Sequence, residues 1–186
     1  LGLGAFQRSH QAYYTEQAMN QFGGDWGICG VSKRSTHLRD TMAPQDNLYT
    51  VAKLETENSF QVIGAIKEVL VAAEQVEQVI DRMVNPDTKL VSLTVTEKGY
   101  CLDSQANLDT KNAAIEHDLA NLDQPSSAIG LIAKSLYVRW QNVGDVARFK
   151  SISLTSQTPI SSRFIQKENT LVGESINFAH ESKDSQ

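Results

Sequence analysis

Cysteine is scarce: the 186 residues carry two, Cys29 and Cys101, too few for a disulfide framework. Neither stands at metal-ligand spacing from the other or from a histidine, so no structural zinc is expected. Long apolar runs are missing too, since nothing approaches the ~20 residues that cross a bilayer. Leu1 opens inside a motif rather than a secretory leader. Positive charge is in deficit, 17 Lys and Arg against 22 Asp and Glu, and no basic run exceeds Lys33-Arg34. That balance argues against a nucleic-acid partner. Internal repeats are absent. Together these absences predict a reduced, cytoplasmic protein without metal, membrane or nucleic acid.

Hydrophobic residues make up 40% and charged residues 21%, a balance that folds rather than stays disordered. At this length roughly 70% of the unfolded surface can be buried without staples. Phe6–Phe22 reads as a first helix, with Phe6, His10, Tyr13, Tyr14 and Gln17 near one face, ended by Gly23-Gly24. Trp26–Ser32 is a short apolar run suited to a buried parallel strand. Ser35 caps a short helix through Met42, which Pro44 ends. Asn47–Leu54 and Phe60–Val71 read as two extended segments of a small β insertion, turning at Glu55–Ser59.

Ala73–Val84 is helical, with Val76, Val79, Ile80 and Met83 at offsets 3, 4 and 7. Lys89–Thr96 is the next strand, and Lys98–Lys111 a loop. Helices follow at Ile115–Leu122 and Ser126–Asn142, the second striped by Ile129, Ile132, Ala133, Leu136 and Trp140. Phe149–Thr155 is a further strand, and from Ser156 the tail is Ser-, Gln-, Thr- and Asn-rich without clear period. Strands alternating with helices predict an α/β fold with a mostly parallel sheet.

The strongest local signal is L-G-L-G-A-F-Q-R-S-H-Q-A-Y at Leu1–Tyr13. Gly2 and Gly4, spaced G-x-G before a helix, let backbone N–H groups meet a pyrophosphate, although such pairs also mark ordinary turns. The usual third glycine falls at Gln7 and is absent. Only Leu1 precedes Gly2 where a strand is expected, so the chain is expected to start inside its first strand. Arg8 suits a phosphate or a carboxylate, or else is a solvated helix residue. At the end of the second strand, Ser32-Lys33-Arg34-Ser35 has no acid until Asp40. Taken alone, that leans toward a 2′-phosphorylated dinucleotide.

T-V-T-E-K-G-Y at Thr94–Tyr100 ends a strand, where ligands bind in open α/β sheets. Glu97 there could reach a ribose or substrate hydroxyl; otherwise it is half of a surface Glu-Lys pair of little energetic value.

Both motifs, with Q-D-N-L-Y-T at Gln45–Thr50, H-D-L-A-N at His117–Asn121 and S-A-I-G at Ser127–Gly130, resemble the mannitol dehydrogenase and fructuronate reductase family over about Leu1–Asn142. The resemblance implies a Rossmann-like α/β fold, a mostly parallel sheet with flanking helices and a small β insertion, truncated at both ends. Residues 1–155 would be the NAD-binding domain and 156–186 a divergent tail. The implied cofactor is NAD, on Gly2, Gly4, Ala5, Phe6, Arg8, Ser32, Arg34, Thr96, Glu97 and Lys98, with His10 a packing or cofactor-shell residue.

The implied reaction is hydride transfer between NAD and a polyol or sugar acid, such as fructose/mannitol or fructuronate/mannonate. The family's S-C-D-N and its K-x-x-x-x-N-x-x-H, which carries the lysine acid-base, are not found: Lys167 is followed five residues later by Val172, and Lys150 by Thr155. The helical catalytic domain is therefore expected to be absent, no catalytic residue is assigned, and the chain alone is expected to be inactive and prone to self-association. A non-catalytic nucleotide-binding module is the alternative reading.

Overall fold

The computed structural model describes residues 1–53, 58–143, 152–155, 161–162 and 176–177. Two parallel pairs form its frame. Strand β1 (Ile28–Ser32) runs beside β4 (Ile66–Val71), and β5 (Val91–Thr94) beside β6 (Ile152–Thr155). Leu1 joins them. Its nitrogen donates to the Ser92 carbonyl at 2.6 Å, and its carbonyl accepts from the Thr94 N–H at 2.9 Å. On the other side, the Gly2 and Leu3 N–H groups both donate to the Val31 carbonyl, at 2.9 and 3.0 Å. The order is therefore β4–β1–Leu1–β5–β6.

Between the pairs, β2 (Tyr49–Lys53) and β3 (Ser59–Ile63) form an antiparallel hairpin. The expected extended segment Phe60–Val71 is divided at Gly64-Ala65, so its first half is hairpin and its second half belongs to the parallel sheet. The Glu16 carboxylate accepts the Gly64 N–H at 3.0 Å, fixing the chain where it changes direction. The expected turn at 55–59 lies mostly outside the described residues.

Helices pack on both faces of the sheet. On one face α1 (Ala5–Ser9) and α2 (Gln11–Phe22) pack Ala12 and Tyr13 with Leu3, Met42, Ile63 and Ile66. On the other, α4 (Val76–Val84) and α6 (Ala128–Val143) pack Val79, Ile80, Met83 and Leu131 against Val31, Leu70 and Val91. The short α3 (His37–Met42) follows β1 and runs into a 3₁₀ turn at Ala43–Gln45.

Three expectations are corrected. The single helix over Phe6–Phe22 is broken at His10, whose ring nitrogen Nδ1 lies 2.9 Å from the Phe6 carbonyl and whose ring stacks on Phe6. Helix α4 starts at Val76 rather than Ala73, because the Ala72 and Ala73 N–H groups instead bond the Ser32 and Lys33 carbonyls and prolong the β4–β1 ladder. The predicted α6 stripe holds in part: Ile132 and Leu136 pack on the core, but its centre is shifted to Leu131, Ser135 and Arg139, which are buried, whereas Trp140 is 54% exposed.

A buried carboxylate holds α5 (Ala113–Ala120) to α6. Asp118 accepts from the Ser126 N–H at 2.6 Å and the Ser127 N–H at 3.0 Å, and also from the Ser127 hydroxyl. At Gly130 an added Cβ would fall 2.1 Å from Asp118 Oδ2, so only glycine fits above the carboxylate. The family landmarks at His117–Asn121 and Ser127–Gly130 are thus two sides of one contact. Burial raises the Asp118 carboxyl, but the Ser126 and Ser127 bonds outweigh it and hold the group below its usual value.

Asp118→Asn should cost roughly 1–3 kcal/mol in denaturant unfolding, since buried donors lose their charged acceptor. Because the folded carboxyl titrates below its unfolded value of about 3.9, its contribution is whole above that pH. It is lost as pH falls through the lower folded value. The variant's acid unfolding limb should be correspondingly flatter.

Candidate functional site

The site is built where the C-terminal ends of β1 and β5 flank Leu1. Gly2 has φ +88°, a conformation that L side chains rarely adopt, and a Cβ there would lie 2.3 Å from the Thr94 carbonyl oxygen. The Thr94 hydroxyl also donates to the Gly2 carbonyl at 2.6 Å. The glycine turn and the end of β5 are therefore a single unit.

Gly4 differs. It starts α1 in an extended conformation, no side chain caps it, and the nearest atom to an added Cβ is the Gly2 carbonyl oxygen at 3.8 Å. Among the described residues nothing requires a glycine there. The first turn of a helix leaves its backbone N–H groups, here those at Ala5 and Phe6, without intrahelical partners, and Ala5 is exposed. Such a turn can receive an anion. Gln7, where a third glycine was sought, is 6% exposed, and its Oε1 is buried without a hydrogen-bond partner.

Arg8 ends α1 half-buried, and its carbonyl accepts from the Tyr49 hydroxyl at 2.7 Å. Burial pushes that phenol up to about 12, against the pull of the nearby Arg8. The hairpin residue Tyr49 thus secures the helix at its break, giving the Gln45–Thr50 landmark a structural role.

At the end of β1, Ser32 is buried while Lys33, Arg34 and Ser35 are exposed. A solvent-open cavity of about 40 Å³ lies beside the turn, walled by Gly2, Val31, Lys33, Ala72, Val95 and Leu131. Beyond β5, Thr96 precedes a 3₁₀ turn at Glu97–Tyr100, closed by the Gly99 N–H donating to the Thr96 carbonyl at 2.7 Å. Thr96, Glu97 and Lys98 are exposed. Gly99 serves a close approach by Val95, 3.0 Å from where its Cβ would stand.

The expected site residues thus fall at one end of the sheet: Gly2, Gly4, Ala5, Phe6 and Arg8 on the turn and α1, Ser32 and Arg34 after β1, and Thr96, Glu97 and Lys98 after β5. Sequence reasoning quoted Thr94, Gln7, Tyr49 and Lys33 within their motifs but assigned none of them to the site; the structure adds the Thr94 clasp on Gly2, the Tyr49 bond to Arg8 and the place of Lys33 on the cavity wall. Cys29 is half-buried with its thiol pushed up to about 12, chiefly by burial and then by Glu68, and Cys101 is buried; both are free. Among the described residues no group of three His, Cys, Asp or Glu could hold a metal, and no helix is long and apolar enough to cross a membrane.

A family model, the mannitol dehydrogenase Rossmann domain, matches residues 1–152. The chain is 43% identical to D-mannonate oxidoreductase of Escherichia coli K12 over 145 residues, 75% of this chain and 30% of that protein. It is 39% identical to mannitol 2-dehydrogenase of Aspergillus fumigatus over 148 residues, 76% of this chain and 30% of that one. Among solved structures, Pseudomonas fluorescens mannitol 2-dehydrogenase in ternary complex with NAD and D-mannitol superposes with a TM-score of 0.74 at 38% identity, covering 84% of this chain and 32% of that one. A substrate-free D-sorbitol dehydrogenase gives a TM-score of 0.73 at 31% identity, with the same coverages. The chain spans about 30% of the length of the curated relatives it matches.

Gly2→Ala should disrupt folding, because positive φ and a backbone clash act together. Gly4→Ala should cost less than about 1 kcal/mol, the difference between the two residues at a helix start. Thermal unfolding of the two variants tests this contrast.

Proposed function

The chain belongs to the mannitol dehydrogenase family, and we propose that its residues 1–155 bind the dinucleotide NAD for reversible oxidation of a polyol or sugar acid. The observation that carries this reading is the glycine turn: Thr94 locks Gly2, while Gly4 and the uncapped start of α1 stay open toward the space an anion would fill. These residues fit a pyrophosphate. When bound, NAD supplies the hydride acceptor, or its reduced form the donor.

The chain's own residues then have separable tasks. The backbone N–H groups at Ala5 and Phe6 would bind phosphate oxygens, with Arg8 adding charge at the end of the same short helix. Ser32 and Arg34 would border the adenosine ribose. The apolar wall of Val31, Ala72 and Val95 suits the face of an uncharged ring. Thr96, Glu97 and Lys98, beyond β5, would meet the nicotinamide end and hold a ribose hydroxyl.

Fructuronate/mannonate and fructose/mannitol are the proposed substrate pairs, by likeness to D-mannonate oxidoreductase and the mannitol 2-dehydrogenases. Hydride transfer to a carbonyl needs a matched proton donor, worth on the order of 10²–10⁴ in rate. The 186 residues hold no K-x-x-x-x-N-x-x-H to supply one. By itself this chain is therefore proposed to bind NAD without turnover. Two reduced cysteines suit a cytoplasmic setting.

Calorimetric titration of the 186-residue chain with NAD is the test. The wild type should bind, and Gly4→Ala should bind at least about tenfold more weakly at nearly unchanged Tm, a loss of about 1.4 kcal/mol. Robust oxidation of mannitol or reduction of fructuronate by this chain alone would overturn the no-turnover reading. Absence of NAD binding would overturn the whole proposal.

A further inference from the structure

We propose that Tyr49, on the first strand of the β hairpin, is a positioning residue that sets Arg8 against the phosphates of the bound dinucleotide. The inference rests on the dinucleotide-binding reading above, in which Arg8 meets a phosphate, and concerns what holds Arg8 there.

Helix α1 has five residues, too few to be stable alone, and Arg8 sits in its last turn, whose carbonyls lack partners inside the helix. The Arg8 carbonyl is taken by a side chain 41 residues away: the Tyr49 hydroxyl donates to it at 2.7 Å. The same phenol feels the Arg8 charge, which opposes the burial that pushes the group up to about 12. At neutral pH the hydroxyl therefore keeps its proton and remains a donor. One phenol thus acts on both halves of Arg8, on the main chain by a bond and on the guanidinium by its field.

Tyr49 is itself a fixed point. It pairs across the β2–β3 ladder with Ile63, which is fully buried, and packs against the core cluster that holds Leu3, Ala12 and Met42. Just before it, Asp46 and Asn47 take left-handed conformations, φ 53° and 59°, and Asn47 Nδ2 donates to the Lys67 carbonyl of β4 at 3.0 Å. Just beyond Ile63, the Gly64 N–H donates to the Glu16 carboxylate of α2 at 3.0 Å. The hairpin is therefore tied to β4 and to α2 on either side of the Tyr49–Ile63 pair. The ring alone would suffice for packing; the hydroxyl is what reaches Arg8. Arg8 is half-buried. With its backbone pinned and its side chain partly enclosed, it gives up rotamer freedom before a ligand arrives, so binding loses less entropy.

The experiment is calorimetric titration of the 186-residue chain with NAD on the wild type, Tyr49→Phe, Arg8→Gln and the double variant, with Tm measured for each. Tyr49→Phe keeps the ring and removes only the bond. It is expected to raise the Kd for NAD by about fivefold, the size of one neutral hydrogen bond. In the Arg8→Gln background the same change should alter Kd by less than about twofold, the non-additivity of residues that act through one another. Replacing Tyr49 by 4-aminophenylalanine, which restores a donor on the same ring, should return Kd to within about twofold of wild type. Failure of that rescue, or wild-type affinity in Tyr49→Phe, overturns the inference. Equal weakening with and without Arg8 also overturns it, because the hydroxyl would then act on the fold and not through Arg8. Arg8→Gln leaves the backbone carbonyl and its bond in place. Unchanged NAD affinity in that variant overturns the inference even where Tyr49→Phe does not fold, and leaves the dinucleotide reading standing. If the wild type does not bind NAD, the inference falls together with the reading it rests on.

Discussion

The clasp between Thr94 and Gly2 is the constraint on which the rest of the site depends. A threonine hydroxyl at the end of one strand bonds a glycine carbonyl at the start of the chain, and the same threonine's carbonyl leaves no room for a Cβ. Through Leu1 this contact also joins the two parallel strand pairs, since Leu1 bonds β5 while Gly2 and Leu3 bond β1. The sheet's continuity and the turn that faces a ligand are products of the same few hydrogen bonds.

Around this clasp, polar groups are committed before they reach the site. Tyr49 takes up the carbonyl of Arg8 where the helix breaks, Glu16 takes up the Gly64 N–H where the hairpin becomes sheet, and Arg39 takes up two carboxylates. Asp118 does the same for the approach to α6. What stays open is the glycine turn, the exposed cations after β1 and the exposed Thr96, Glu97 and Lys98 after β5. The division between satisfied and open groups marks the site more sharply than its small cavity does, because a phosphate-binding turn is shallow and made of backbone.

Much of this was legible in the chain. The 3, 4 and 7 offsets of α4 were read correctly because its buried stripe faces one sheet and nothing competes with it. The G-x-G turn and the strand ending at Thr94 were legible because glycine and strand-end motifs are local. The helix over Phe6–Phe22 was misread because the backbone departs from helical geometry at His10 alone (φ −119°, ψ −76°), which periodicity does not register. The α6 stripe was read in part: Ile132 and Leu136 do pack on the core, but the buried centre of the face is Leu131, Ser135 and Arg139 while Trp140 is exposed, so hydrophobicity alone placed the stripe off-centre.

The sequence by itself determined the α/β alternation, the family, the glycine turn and the lack of an acid after the second strand. Each of these is carried by residue identity at short spacing. Only the tertiary structure decided that Gly2 is demanded by the protein while Gly4 is left for a ligand, and that Asp40 and Glu74 are both spent on one arginine. The Arg39–Glu74 and Thr94–Gly2 contacts join residues 35 and 92 apart in the chain, and no local pattern encodes such a meeting.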